Sequence, residues 1–252
     1  MRILIVNDDG IYSPGILALA QVASEFGDVI IVAPDMERSS TGHAVTHSRP
    51  LSYRRTAIAG FDAFRVDGTP ADCVAVGFSI LNKADVVLSG VNLGYNLGNS
   101  MWHSGTLAGA KQAALMGSRG IALSAPSSTV DVDFEPLKPH LSRTLQLLLP
   151  DAGLPLVNVN FPLAPRGTLW TRQSVRHYDG QVVPVKDPMG RQLYWFTVVP
   201  MEETEDGTDR WAIERSLISI TPLRLDLTDG AALERMQLQP RPRDAEPNGP
   251  KM

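Results

Sequence analysis

Arg2-Ile3-Leu4-Ile5-Val6-Asn7-Asp8-Asp9-Gly10 opens the chain with an apolar run that ends in two carboxylates. Residues 3–6 have the length and composition of a short buried strand, and Gly10 lets the backbone turn sharply after it. In an open α/β sheet, ligands bind beyond the carboxyl ends of the strands. Asp8 and Asp9 would stand there and repel each other unless positive charge lies beside them. A hard divalent cation with oxygen ligands, Mg²⁺ or Mn²⁺, suits that position. On this stretch alone, a pair of solvated loop carboxylates, one of them capping the next helix, is the alternative.

Outward from this stretch the chain alternates strand and helix. Ser13 and Pro14 open a helix as N-cap and first-turn proline. Residues 29–33 read as a second strand, ended by Pro34. Shorter β segments follow near 51–53 and 63–66, and Thr69-Pro70 starts a second helix. Residues 86–88 form another buried strand. A small-residue helix over 106–116 is closed by Gly117. Strands at 121–123 and 156–160 flank a helix over 137–149. Strands separated by helices predict an α/β fold with a doubly wound, mostly parallel sheet.

The second half changes character. Residues 170–175, 182–185 and 194–199 are β-like runs without helices between them, and Gly190 places a hairpin before the last. The expected organisation is one α/β domain over 1–252 with a β-rich hairpin extension over about 168–200. Residues 216–221 are a final strand ended by Pro222, and 222–252 form a C-terminal arm. Leu223, Leu225 and Leu227 alternate with charge there, which suits an extended segment lying on another surface. From Gln237 onward the arm is rich in proline and charge, and its end is expected to be disordered.

Composition bounds the partners. With 23 Lys and Arg against 27 Asp and Glu, the net charge is −4, so no broad basic face for a nucleic-acid duplex is implied. The single cysteine, Cys73, excludes an internal disulfide and a thiolate zinc site; beside Val74 and Val76 it reads as a small buried hydrophobe. No apolar run reaches transmembrane length, and no cleavable signal precedes the first strand. A cytoplasmic location away from membranes is the expectation.

The chemistry falls on three loops that follow strands. The first holds Asp8 and Asp9. The second is Arg38-Ser39-Ser40-Thr41-Gly42-His43, whose hydroxyls can ligate a hard metal or bind an anion while Arg38 adds positive charge; taken by itself, such a loop is better explained by turn chemistry and capping. The third, over 89–105, carries Asn92, Asn96 and Asn99 among glycines. It offers neutral carbonyl ligands, NH₂ donors and close backbone approach. Ser104-Gly105-Thr106 then opens a helix, and free N–H groups at a helix N-terminus make an anion site. Metal carboxylates together with such a site point to a phosphate ester. No Gly-Lys-[Ser/Thr] makes this a P-loop, and no Gly-x-Gly-x-x-Gly makes it a dinucleotide site.

These residues resemble the SurE family of stationary-phase survival proteins, metal-dependent nucleoside monophosphate phosphatases. The matching stretches are Asn7-Asp8-Asp9-Gly10, Val32-Ala33-Pro34-Asp35 with Arg38-Ser39, and Gly68-Thr69-Pro70-Ala71-Asp72-Cys73-Val74. Ser89-Gly90-Val91-Asn92, Asn96-Leu97-Gly98, Ser104-Gly105-Thr106 and Ser219-Ile220-Thr221-Pro222-Leu223 follow in family order. The resemblance implies a Rossmann-like fold and one divalent cation per subunit, Mg²⁺ or Mn²⁺, held by Asp8, Asp9, Ser39 and Asn92. It implies that Asn96, Ser104, Gly105 and Thr106 bind the phosphoryl group, with Asp8, Asp9 and Asn96 as catalytic residues. The implied reaction is 5′-nucleotidase hydrolysis of nucleoside 5′-monophosphates, with 3′-monophosphates and short polyphosphate as further substrates. A homodimer or homotetramer built through the extension and the C-terminal segment is implied as well. His103 departs from a usual tyrosine beside the phosphate loop, and Ser216-Leu217 from a common Gly-Tyr.

His43 and His103 fall in the site loops and are candidate general acids; His47, His140 and His177 receive no role. Two rivals stay open. A receiver domain also ends its first strand in an acidic pair, but it needs an acceptor Asp where this chain has Ser89-Gly90. The other is a non-catalytic, Mg-dependent nucleotide-binding stress module, which phosphate release would separate from an enzyme.

Overall fold

The computed structural model describes residues 1–127, 133–175, 180–198 and 204–238. The first half builds β1 (Arg2–Val6), α1 (Pro14–Ala23), β2 (Asp28–Pro34), β3 (Tyr53–Ile58), β4 (Phe61–Val66) and α2 (Pro70–Leu81). It continues with β5 (Val86–Leu93), α3 (Gly105–Leu115), β6 (Arg119–Ala125), α4 (Lys138–Leu148) and β7 (Leu156–Asn160). Then come β8 (Gly167–Trp170), β9 (Gly180–Lys186), β10 (Gln192–Val198), α5 (Asp209–Glu214), β11 (Leu217–Pro222) and α6 (Gly230–Gln237).

β1 is apolar on both faces because it lies inside the sheet. Ile3 and Ile5 join Ile16, Leu19, Leu88 and Val157 in one core. Leu4 and Val6 join Val32, Cys73, Val74 and Phe78 in the other. α1 and α4 pack together, and α2 packs on α3, so helices cover the sheet in two pairs. Among the described residues the sheet has nine strands in the order β3-β4-β2-β1-β5-β6-β7-β11-β8. The run from β4 to β7 is parallel. β3 and β11 enter antiparallel to β4 and β7, and β8 lies parallel to β11 at the far edge. This is the expected Rossmann-like, doubly wound α/β fold.

The chain leaves β1 on one side through β2 and returns on the other as β5, with Ile3 opposite both Val29 and Val86. The crevice beyond the carboxyl ends of β1 and β5 is therefore the topological switch point, where open α/β sheets bind ligands.

Local signals placed most helices. Thr69 caps α2: its hydroxyl accepts from Asp72 N, and the Asp72 carboxylate accepts from Thr69 N, with Pro70 in the first turn. Ser13 stands at the N-cap of α1, but its hydroxyl makes no cap bond there; it accepts from Asn7 Nδ2 at 2.8 Å instead. β5 corrects the expectation of a strand ending at 88. It runs on to Leu93 although Ser89-Gly90 suggests a turn, because β6 stays paired with it across a register shift between Ser89 and Asn92. Gly90 is required there: its φ is +140°, and a Cβ would sit 2.2 Å from the Leu123 carbonyl oxygen.

The hairpin is present, with Tyr194 opposite Pro184 and Gly190 at a φ of +82° in the turn. β8 is offset from the expected run over 170–175, and Arg172 makes only an isolated bridge to Thr208. α5 and α6 were not anticipated. Each is short, and each starts from a capping side chain, Thr208 or Asp229, that also suits a turn. The arm is free of strand or helix over 223–229 before α6. Its expected disordered end, like His177, lies outside the described residues. No helix among the described residues is long and apolar enough to cross a membrane.

α3 approaches the sheet closely because its inner face is made of small residues. A Cβ on Gly120 of β6 would lie 1.9 Å from the Ala110 carbonyl oxygen of α3. Gly120→Ala should cost about 1–3 kcal/mol by overpacking, read as a lower urea midpoint at unchanged slope. A loss within about 0.5 kcal/mol would show that α3 can shift freely.

Candidate active site

Asp8 and Asp9 follow β1 directly into the crevice. The turn that carries them is pinned by Asn7, whose buried Nδ2 donates to the Gly10 carbonyl at 2.9 Å and to the Ser13 hydroxyl. Gly10 takes a φ of +96°, and a Cβ there would touch the Met36 backbone at 3.4 Å. The loop after β2 is thereby held close, and Arg38 N donates to the Asp8 carbonyl oxygen at 2.7 Å.

Asp8 is 4% exposed. Its Oδ1 accepts from the Thr106 hydroxyl at 2.7 Å, and the Thr106 backbone also hydrogen-bonds it. A Cβ on Gly105 would lie 2.8 Å from both the Asp8 Cβ and Oδ2. The glycine is what lets the carboxylate reach the N-terminus of α3. The anion held at that helix end is therefore Asp8 itself, and the Ser104 hydroxyl caps the helix by accepting from Leu107 N at 3.0 Å.

Asp9 is tied to β5, where Leu93 N donates to its Oδ2 at 3.2 Å. Asn92, one residue earlier on the same strand, is buried, and its Nδ2 donates to the Gly94 carbonyl at 2.7 Å. Asn96 is buried too. Its Nδ2 donates to Ser124 Oγ at 2.9 Å and Thr106 Oγ1 at 3.3 Å, so the donors expected to face a phosphate serve hydroxyls of the protein. Ser39 is exposed, and its hydroxyl donates to Glu37 Oε1 at 2.7 Å; it reaches the pair through its neighbour's bond to Asp8. Arg38 directs its charge toward Asp35, at 3.8 Å. The exposed His43 ring contacts Gln112 Oε1 at 2.8 Å, and the exposed His103 accepts Gly42 N on its carbonyl.

The electrostatics of the pair are one-sided. Burial pushes the Asp8 carboxyl above the ordinary carboxylate range, and the Glu37 charge adds to the push against hydrogen bonds from Thr106. Burial, then the charge of Asp8, raises Asp9 from 3.8 to about 6. What favours ionisation in both is hydrogen bonding rather than a basic side chain. Such a pair is short of positive charge, and its oxygens, with the Ser39 hydroxyl and the Asn92 amide oxygen, are hard donors suited to Mg²⁺ or Mn²⁺. Among the described residues no cluster of three or more His, Cys, Asp or Glu side chains stands ready for a metal, so neutral oxygens would have to complete a set.

Sequence reasoning missed three contributors. Glu37 bears on both carboxyls, and its only signal was its place two residues before Ser39. Asn158 and Asn160 of β7 reach the Asn96 backbone, and their signal was a pair of amides in an otherwise apolar strand.

Comparison with known proteins identifies the family. The family described as Survival protein SurE matches over residues 3–180. A Thermus thermophilus protein named 5′-nucleotidase SurE 1 is 46% identical over 243 residues, covering 94% of this chain and 96% of that protein. A Deinococcus radiodurans protein named 5′-nucleotidase SurE is 44% identical, covering 90% of this chain and 88% of its own length. The crystal structure of a SurE protein from Aquifex aeolicus matches with a TM-score of 0.81 at 36% identity, covering 94% of this chain and 98% of that one. Matched over most of its length in both sequence and fold, this chain belongs to the SurE family.

Proposed function

We propose that this chain is a metal-dependent 5′-nucleotidase that hydrolyses nucleoside 5′-monophosphates to nucleoside and phosphate, with 3′-monophosphates and short polyphosphate as further substrates. The observation that carries this is the adjacent pair of buried Asp8 and partly buried Asp9 at the switch point, short of positive charge. The names of the relatives point to the same reaction.

Asp8, Asp9, Ser39 and Asn92 would hold one divalent cation, Mg²⁺ or Mn²⁺. When bound, such an ion polarises a phosphoryl oxygen and orients a water for in-line attack. The first turn of α3, Ser104 to Thr106, would receive the phosphoryl oxygens beside that cation, through N–H groups that neither Asp8 nor the Ser104 cap uses. Asn96 would act in the same cleft by fixing the Thr106 hydroxyl. Asp8 or Asp9 would take the proton from the attacking water. The receiver-like alternative finds no support, because β5 carries Ser89, Gly90 and Asn92 where an acceptor Asp would be needed.

We propose a homodimer or homotetramer built through the hairpin. Tyr194, Trp195 and Phe196 of β10 are 68, 65 and 62% exposed, and among the described residues β9 and β10 pair only with each other. A two-stranded hairpin is marginal in water without something to pack on. Light scattering on the full chain at micromolar concentration should give at least a dimer, and Trp195→Lys should shift it toward monomer. A full-length monomer would contradict the assembly.

Phosphate release from a nucleoside 5′-monophosphate should require Mn²⁺ or Mg²⁺ and stop with chelator. Asp8→Asn should lower the rate by on the order of 100-fold or more, because the proposed metal, which would stabilise the transition-state charge, loses an anionic ligand. Full activity of Asp8→Asn at limiting metal would refute the assignment, and metal-dependent nucleotide binding without phosphate release would favour a non-catalytic module.

A further inference from the structure

We infer that Asn158 and Asn160 of β7, with Ser124 of β6, are positioning residues for the proposed reaction: they clamp Asn96 and, through Thr106, fix the Asp8 carboxylate. The inference rests on the nucleotidase reading of the Asp8–Asp9 site.

β7 lies inside the sheet and is buried at every position. Val157 and Val159 face the core shared with α4, while Leu156 faces the core under α3. By strand alternation, Asn158 and Asn160 share the Leu156 face. Asparagine is depleted in strands, and a buried amide costs free energy unless its bonds are made. Apolar side chains would stabilise this strand more readily. Both amides are fully buried, and the bonds they make go to one distant residue, with Asn158 Oδ1 left without a partner among the described residues.

Asn160 Oδ1 accepts from Asn96 N at 2.9 Å, and Asn160 Nδ2 donates to the Asn96 carbonyl at 3.1 Å. The side-chain amide thus grips the loop backbone through both its donor and its acceptor. Asn158 Nδ2 donates to the same carbonyl at 2.7 Å. With its backbone held, Asn96 sends its own Nδ2 to Ser124 and Thr106. The direction of the next bond follows. Because the Thr106 hydroxyl accepts from Asn96, its own proton is free for Asp8, at 2.7 Å. Hydrogen bonding to a carboxylate favours its ionised form and holds one oxygen in place.

The sheet register explains how the relay reaches the crevice. Asn92 stands opposite Ser124, and Ser124 opposite Asn160. A polar row therefore crosses β5, β6 and β7 at their carboxyl ends, from the proposed ligand Asn92 to the clamp. Groups that orient metal-binding side chains typically change metal affinity or activity by about 10–100-fold when removed.

The test compares full-length wild type with Asn160→Ala, Ser124→Ala and Ser124→Thr. Mn²⁺ affinity is measured by calorimetry and phosphate release from a nucleoside 5′-monophosphate by steady-state kinetics, at a temperature where circular dichroism shows each variant folded. Asn160→Ala and Ser124→Ala should weaken Mn²⁺ binding by about 10–100-fold and lower kcat more than they raise KM. Ser124→Thr keeps the hydroxyl acceptor and should stay near wild type; if Asn160→Ala does not fold, the two Ser124 variants decide. Wild-type Mn²⁺ affinity and kcat in a folded Asn160→Ala and Ser124→Ala would overturn the positioning role. Wild type that binds Mn²⁺ and loses affinity in these variants, yet releases no phosphate, would uphold positioning and refute the nucleotidase reading. Wild type that binds no Mn²⁺ would overturn both.

Discussion

Two adjacent carboxylates at the end of a buried strand are the constraint around which this molecule is arranged. Asp8 and Asp9 cannot move apart, because β1 fixes one side and the Asn7 turn the other. They cannot both ionise at low cost, because burial and mutual repulsion act together. Neighbouring elements answer with neutral donors. Thr106 reaches Asp8 from α3, and Leu93 N reaches Asp9 from β5. These bonds orient the oxygens without cancelling their charge, leaving the cancellation to something bound. On the proposed reading, a bound cation would complete such a site.

The scaffold exists to make those contacts repeatable. α3 can bring Thr106 onto Asp8 only if its first turn comes very near the end of β1, and Gly105 allows that approach. The same helix must lie close to β6, which Gly120 and the small inner face permit. Behind them, amides of β7 hold the Asn96 loop from the far side of β6. The polar row from Asn92 through Ser124 to Asn160 replaces packing that apolar side chains would have supplied, so local stability is given up for geometry.

Which parts of this were legible in the sequence follows from the range of the forces involved. β1, the Thr69–Asp72 cap of α2 and the small-residue stretch of α3 are written in neighbouring residues and could be read directly. The extension of β5 through Gly90 could not, because its composition suggests a turn and only pairing with a distant strand overrides it. Ser13 shows the same limit on a smaller scale, since its hydroxyl was claimed by Asn7 rather than by the helix it opens. At the site, Asp8 and Asp9 announce themselves, but the partner of Asp8 lies 98 residues away. Asn158 and Asn160 were visible as members of a strand, while their function depends on a loop 62 to 64 residues earlier. Family resemblance carried the ligand set further than the residues alone. It did not reveal that the Asn96 donors are turned inward.

The central claim is that the carboxylate pair carries a charge that folding alone leaves uncompensated. Asp9 titrates near 6 in the folded protein against 3.8 for an ordinary carboxyl. Below the lower value both folded and unfolded chains hold the proton; between the two, the unfolded chain ionises first, so stability is lost as pH rises through about 6. Comparing the metal-free melting temperatures of wild type and Asp9→Asn from pH 4 to 7 separates the charge of the coupled Asp8–Asp9 pair from the remaining carboxyls. Wild type should fall progressively below the variant as pH rises, and excess Mn²⁺ should reverse the order at pH 7. A wild type that stays level with or above Asp9→Asn across that range without metal, and gains nothing from Mn²⁺, would contradict the account.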